Sequence, residues 1–245
     1  MNNVFFSKEF DNPNFKNHII FICDHASNNF PKEFKNLGLN ESEINSHIAY
    51  DIGAKKITLR LAENLKQSYF ISNFSRLLID LNRNIDDENL IVSKSFGVCI
   101  PGNKKISKFE KEKRINFFHE PYHKGLLKII KKKTKEIKNI FIVSIHSFTK
   151  CSLDFDRAIE VGLLWNKNIN LLLPLQKKLI EKNIHVGNNF PYSGFHYNYT
   201  LDRINDFKTF NNISIEIRND LICSEKGIRN YVNILSKIFK ELLNE

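Results

Sequence analysis

HIIFIC, residues 18–23, is the stretch on which the fold turns. It is a short apolar run with no helical rhythm, which predicts a strand buried on both faces. A polar run, Asp24-His25-Ala26-Ser27-Asn28, follows at once. The same pattern returns at residues 139–145, NIFIVSI, which lead into His146-Ser147. It returns again at residues 212–217, NISIEI, which carry Glu216 and lead into Arg218. Further strands are expected at 69–72, 77–81 and 158–164. Helical patterns lie between them. Residues 42–66 read as one helix capped by Ser42, with Ile44, Ile48 and Ile52 four apart. Residues 108–118 read as a second, which Pro121 should break or kink before the pattern resumes at 125–137. Residues 171–182 carry Pro174 near the first turn, where proline is tolerated. A last helix starts from Ser224 and places Ile228, Val232, Leu235, Phe239 and Leu242 on one face. Residues 82–107 have no clear period. Strands alternating with helices predict an α/β fold, a mixed and largely parallel sheet sandwiched by helices. No linker or composition break divides the chain, so residues 1–245 are expected to form one domain.

At 245 residues the chain is long enough to bury a core without disulfides. Its 42% hydrophobic and 26% charged residues are ordinary for a globular protein. The net charge of +10 raises the question of nucleic acid. The basic residues are scattered, however, and the one dense run (Lys131, Lys132, Lys133, Lys135 and Lys138) sits at a helix end. A solvated lysine-rich surface explains it, and no nucleic-acid partner is expected. Cys23, Cys99, Cys151 and Cys223 show no close pairing and read as reduced thiols of a cytoplasmic protein. MNNVFFSKEF lacks the pattern of a signal peptide. No apolar run approaches the roughly 20 residues of a membrane span, so no membrane partner is expected.

In sheets of this kind, ligands sit at the carboxyl ends of strands. Those ends carry His25, His146, the pair Asn82-Arg83, and Glu216 with Arg218. Two imidazoles and a carboxylate hold Zn²⁺ while leaving a position for water. A free carboxylate then serves as general base, one arginine stabilises an oxyanion, and another arginine with an asparagine forks onto a substrate carboxylate. The set suits metal-assisted hydrolysis of an amide in an acidic substrate.

Six segments, in order along the chain, resemble the N-formylglutamate amidohydrolase (deformylase) family. They are CDHASNNFP (23–31), HIAYDIGA (47–54), SRLLIDLNR (75–83), VSIHSF (143–148), PYSG (191–194) with Tyr199-Thr200, and IEIRND (215–220). SRLLIDLNR is the most specific of them. That family is similar in fold to zinc-dependent carboxypeptidases and aspartoacylase. The resemblance implies one zinc ion with His25 and His146 as ligands, and Glu216 as general base. It implies Arg76 near the developing oxyanion, and Asn82 and Arg83 on a substrate carboxylate. Tyr192 and Ser193, in PYSG, are expected at the substrate.

Carboxypeptidase-like sites often take a glutamate three residues after the first histidine, but here that position is Asn28, a poor zinc ligand. Asp51 is the expected third ligand. Its alternative role is to orient a ligand histidine from behind, and His47, four residues earlier on the expected helix, is the other candidate. His119 and His123 stand four apart, a metal-ligand spacing, but Pro121 lies between them, and Tyr122-His123 reads as structural or pocket-lining. His185 and His196 fall in polar loops, and His196, beside PYSG, has the substrate mouth as its alternative place. Ser147 lacks the GxSxG setting of a serine hydrolase. The expected activity is hydrolysis of an N-formyl or N-acyl amino acid, N-formylglutamate first. The alternatives are the same chemistry on another small amide, or a non-catalytic basic module binding RNA.

Overall fold

A strand covered on both sides sends alternate side chains into two cores. Residues 18–23 do so: Ile19, Phe21 and Cys23 enter one cluster, Ile20 and Ile22 the other. The computed structural model describes residues 3–11, 14–151 and 156–244. Its strands are β1 (Phe5–Lys8), β2 (His18–Cys23), β3 (Ser68–Ser72), β4 (Lys94–Ser95), β5 (Val98–Cys99), β6 (Ile140–Phe148), β7 (Val161–Leu164), β8 (Val186–Asn188) and β9 (Asn211–Arg218). β4 and β5 form a separate small hairpin, and the other seven make one sheet in the order β1-β3-β2-β6-β9-β7-β8. β2 pairs parallel with β3 and β6, β6 with β9, and β7 with β8, whereas β1 and β7 run antiparallel to β3 and β9.

Helices cover both faces, which gives the mixed, largely parallel sandwich that the alternation of elements predicts. In chain order they are α1 (Glu41–Ile44), α2 (Ala54–Leu65), α3 (Lys108–Arg114), α4 (Glu120–Glu136), α5 (Leu172–Ile180), α6 (Gly194–Tyr197), α7 (Tyr199–Phe207), α8 (Asn219–Ile222) and α9 (Glu225–Asn244). One core joins α2, α5 and α9 to the sheet through residues such as Ile57, Leu175 and Leu235. The opposite core is filled by Tyr122, Leu126 and Ile130 of α4 and by Leu201 and Ile204 of α7. α9 begins where Ser224 Oγ accepts from Gly227 N at 3.1 Å, and the five residues expected on its inner face are all buried. Among the described residues no helix is long and apolar enough to cross a membrane.

Three expectations are corrected. Residues 42–66 form two helices instead of one. Asn40, not Ser42, caps α1, in a capping box with Glu43. α2 starts only after Gly53, whose φ of 84° no L-residue adopts easily. Residues 45–53 between them are irregular, so His47 and Asp51 do not share a helix face. Residues 77–81 are not a strand. They follow a turn in which Leu78 N donates to Ser75 O at 3.0 Å, and they are apolar because the loop is buried. Pro121 does not break the helix before it. α3 and α4 are joined by a π-helical turn, Ile115–His119, and Pro121 sits in the first turn of α4. The wider turn absorbs the missing proline N–H.

Gly53 is held by its surroundings as well as by its φ. A Cβ there would lie 2.3 Å from the carbonyl oxygen of Ile222. Gly97, at the tip of the β4–β5 hairpin, has the same φ of 84° but nothing within 4 Å of its Cβ position. Gly97→Ala is therefore expected to cost about 1 kcal/mol and Gly53→Ala about 3 kcal/mol or more, the excess being the clash with α8. Urea denaturation of the two variants measures the difference, and equal costs would remove the steric account.

Candidate metal centre and active site

β2 and β6 are parallel neighbours, and each delivers a histidine to the same end of the sheet. His25 follows β2 by two residues, and His146 lies near the end of β6. The chain leaves β2 for β3 on one side and later returns to β6 on the other, so the crevice opens where strand order reverses. The two imidazole centroids are 5.0 Å apart. Asp51 reaches them from the irregular segment before α2. Asp51 N donates to His25 O at 3.0 Å, and Ser147 Oγ donates to Ile52 O at 2.9 Å, so the segment is tied to both strand ends.

Each imidazole is bracketed by two buried carboxylates, and Asp51 is shared. His25 Nδ1 lies 3.4 Å from Asp51 Oδ2, and its Nε2 donates to Asp80 Oδ1 at 2.7 Å. His146 Nδ1 lies 2.8 Å from the same Asp51 oxygen, and its Nε2 is 3.4 Å from Asp24 Oδ2. Tyr122 OH, itself fully buried, donates to the other oxygen of Asp24 at 2.7 Å. His25, Asp51 and His146 can each present one ligand atom within 4.8 Å of the others. His25 Nδ1 has no hydrogen-bond partner, and Asp80 behind its Nε2 is the arrangement that fixes a metal-ligating imidazole. The donor set therefore fits a divalent cation such as zinc.

The electrostatics agree with a place for positive charge. Burial opposes protonation of His25, as does Arg76, yet Asp80 and Asp51 outweigh them and its pKa is raised. Burial also opposes protonation of His146, but Asp24 and Asp51 hold it well above the usual imidazole range. Burial would raise Asp51, but the two histidines keep it well below the usual carboxylate range. Glu216 is different. Burial pushes its carboxyl up to about 7, with the Asp51 charge adding to the rise against the pull of His146. Its Oε2 is buried and has no hydrogen-bond partner.

These groups line a cleft of about 510 Å³ with Arg76, Arg83, Arg157, Tyr192 and Tyr197. Arg76 donates to Asp80 Oδ2 at 2.7 Å and lies 3.7 Å from Asp51 Oδ1. Arg83 lies over the Tyr197 ring at 4.7 Å. Of the expected site residues, the structure gathers His25, Asp51, His146, Glu216, Arg76, Asn82, Arg83 and Tyr192 around this cleft. Asn82 lines it, but its amide is spent on the main chain: it donates to Tyr197 O and accepts from Thr200 N. Ser193 is not in the lining. It caps α6 by accepting from Phe195 N at 3.3 Å. His196 is likewise outside the lining, and Tyr197 beside it takes that place.

Asn28 turns away, donating to Ile44 O and Asn45 Oδ1. His47 lines the cleft with its ring against Phe96. His119 and His123 pin the loop, donating from Nε2 to the carbonyls of Arg83 and Leu81, both at 2.9 Å. Sequence reading gives no role to Asp24, Asp80 or Arg157, and it expects Tyr122 only as structural or pocket-lining. Asp80 did carry a signal: it is the one acid inside SRLLIDLNR, four residues from Arg76 and three from Arg83.

A model of the N-formylglutamate amidohydrolase family matches residues 17–223. The chain belongs to that family. No curated protein matches it. Among solved structures, an N-formylglutamate amidohydrolase relative in fold comes from Ralstonia eutropha JMP134. It is 16% identical with a TM-score of 0.77, over 98% of this chain and 97% of that one. A gene product of Agrobacterium tumefaciens is 27% identical with a TM-score of 0.90, over 97% of this chain and 94% of that one. As a member of the N-formylglutamate amidohydrolase family, the chain is placed among hydrolases that act on amides.

In this family member, the Tyr122 hydroxyl reaches the site through Asp24. Tyr122→Phe removes one donor from a buried carboxylate and leaves the ring packing intact. It is expected to cost about 2 kcal/mol of stability by urea denaturation, the range for a hydrogen bond to a charged group. A cost near zero would mean that water takes the phenol's place.

Proposed function

We propose that this chain, as one catalytic domain over residues 1–245, hydrolyses the amide bond of an N-formyl or N-acyl amino acid. N-formylglutamate is the favoured substrate, and the products are formate and glutamate. One zinc ion is held by His25, Asp51 and His146. The observation that carries the reading is the shared Asp51 oxygen between two imidazoles, in one cleft with an unpaired, buried glutamate. Family membership supports the amide as the bond and glutamate as the amine product. When bound, zinc supplies a Lewis acid that polarises the carbonyl and makes water a nucleophile near neutral pH.

The chain's own residues do the rest. Glu216 takes a proton from the attacking water as the new C–O bond forms. It returns that proton to the amide nitrogen as the C–N bond breaks, so the amine leaves neutral. A carboxyl raised to about 7 by burial suits both halves of this transfer. Arg76, oriented by Asp80, stands ready for the oxygen that gains charge in the tetrahedral state. Arg83, backed by the Tyr197 ring, takes the substrate's α-carboxylate, and Asn82 holds the turn that carries that ring. Asp80 and Asp24 fix the two imidazoles from behind.

Zinc-loaded protein assayed against N-formyl and N-acetyl amino acids is expected to favour N-formylglutamate by kcat/KM. Turnover of none of them would overturn the reading. His25→Ala and His146→Ala are expected to lose zinc in equilibrium dialysis together with activity. Retention of zinc by both would move the metal elsewhere. Glu216→Gln is expected to keep zinc and lose about 10²–10⁴-fold in kcat, the range for a general base.

A further inference from the structure

The cleft wall carries three guanidinium groups that differ in what balances their charge. Arg76 has Asp80 and Asp51. Arg83 has Asp87 at 3.6 Å and Asp80 at 4.0 Å. Arg157 has none: among the described residues no carboxylate oxygen lies within 4.0 Å of it. Yet Arg157 is only 7% exposed. Its Nη1 donates to two neutral acceptors, Thr149 O at 3.0 Å and Thr149 Oγ1 at 3.1 Å. Its Nε is buried with no acceptor.

A guanidinium does not shed its proton in proteins, and a buried charge without a counter-ion is costly. Such a group is held in place only by strong surroundings, and Arg157 has them. Its guanidinium lies 5.0 Å from the Tyr192 ring centroid and 5.7 Å from that of Phe148. Its backbone is clamped as well. Arg157 N donates to Lys150 O at 2.8 Å, and Arg218 Nη1 donates to the carbonyls of Arg157 and Ile159, both at 3.2 Å. The stack continues. Tyr192 lies 5.5 Å from Tyr197, and Tyr197 carries Arg83. One wall of the cleft therefore holds a guanidinium at each end of a tyrosine pair.

We propose that Arg157 forms a second anion subsite, which takes the side-chain carboxylate of a dicarboxylic N-acyl amino acid while Arg83 takes its α-carboxylate. The assignment of the two carboxylates rests on the amidohydrolase reading above. The subsite itself rests on a cleft-lining guanidinium that is held beside Tyr192 and Phe148 and has no carboxylate within 4.0 Å among the described residues. A carboxylate at the cleft-lining face of this guanidinium supplies a counter-charge that no carboxylate among the described residues provides. Arg157 is then the residue that separates acidic from neutral substrates.

The test compares wild type, Arg157→Met and Arg157→Lys on N-formylglutamate and N-formylmethionine. In Arg157→Met the ratio of kcat/KM between the two substrates is expected to fall about tenfold or more, through KM for N-formylglutamate. Arg157→Lys is expected to recover part of it, since the charge returns without the fork. A ratio left unchanged, with both substrates losing together, would assign Arg157 a purely structural role and overturn the proposal. Thermal shifts of wild type and Arg157→Lys with glutarate and with valerate separate the subsite from the reaction. Glutarate is expected to stabilise wild type more than valerate does, and Arg157→Lys by less than wild type. That outcome supports the subsite even where no N-formyl amino acid is turned over, or where Arg157→Met does not fold. Equal shifts by the two acids would overturn it.

Discussion

One oxygen of Asp51 lies within 3.4 Å of an imidazole nitrogen at the end of each of two neighbouring strands, and the charge balance of the cleft follows from that meeting. Asp24, Asp51, Asp80 and Glu216 are all buried in or beside this cleft. Two unit charges 4 Å apart interact by about 4 kcal/mol at an effective dielectric constant of 20. Four carboxylates so placed need compensation. Arg76 supplies one charge, next to two of them. The rest comes from protons on the histidines or from a bound cation. This is why both imidazoles are raised, and why Glu216, which alone of the four has no basic side chain within 4.0 Å among the described residues, is pushed up to about 7. A cation placed among these groups displaces protons, so metal affinity and pH are linked here.

The second constraint is mechanical. The segment 75–83 carries Arg76, Asp80 and Arg83, yet it belongs to no strand. Its buried carbonyls must find donors outside a ladder. The continuous helical stretch from α3 through α4 supplies them: Arg114 to Leu78 O at 2.9 Å, His119 to Arg83 O and His123 to Leu81 O. Asn103 adds a bond to Leu77 O. Burial pushes His123 down to about 3, so it is a neutral imidazole that keeps its proton on Nε2, the nitrogen facing Leu81 O. The π-helical turn lies between Arg114 and His123 and sets their relative rotation. Two histidines at metal-ligand spacing thus serve as pins.

The sheet was legible because strands buried on both faces have a plain signature. β2 matches its expected residues, and β6 and β9 differ only at their ends. The same signature misled at 77–81, because an apolar run reports burial and not pairing, and Leu77, Leu78 and Ile79 are buried in a loop. The isoleucine spacing in 42–66 misled in the same way: Ile48 is buried against Leu77 and Ile100 from a non-helical segment. At the site, strand ends and motifs led to His25, His146, Glu216 and the arginines, and Asp51 lies where the metal reading needs a carboxylate. What stood behind the rings was not legible. Asp24 adjoins His25 in sequence but backs His146, 122 positions away, and no local pattern encodes that crossing. Arg157 follows no strand end and lies in no quoted motif, so it drew no notice.

Asp80 shows why the compact motif SRLLIDLNR holds several roles at once. Its Oδ1 accepts from His25 Nε2 at 2.7 Å and from Asn82 N at 2.9 Å, while Oδ2 accepts from Arg76 at 2.7 Å and faces Arg83. One carboxylate therefore fixes the tautomer of a metal-facing histidine, the turn that presents Asn82, and the direction of an arginine. The i,i+4 spacing of Arg76 and Asp80 is not a helical pair here. It closes a turn, which lets both oxygens of Asp80 be used in different directions. Displacing Arg76 would leave Asp80 with excess charge against His25, and turning His25 would release Arg76. Imidazole orientation and arginine position are thus two readings of one buried charge, and neither can be set independently of the other.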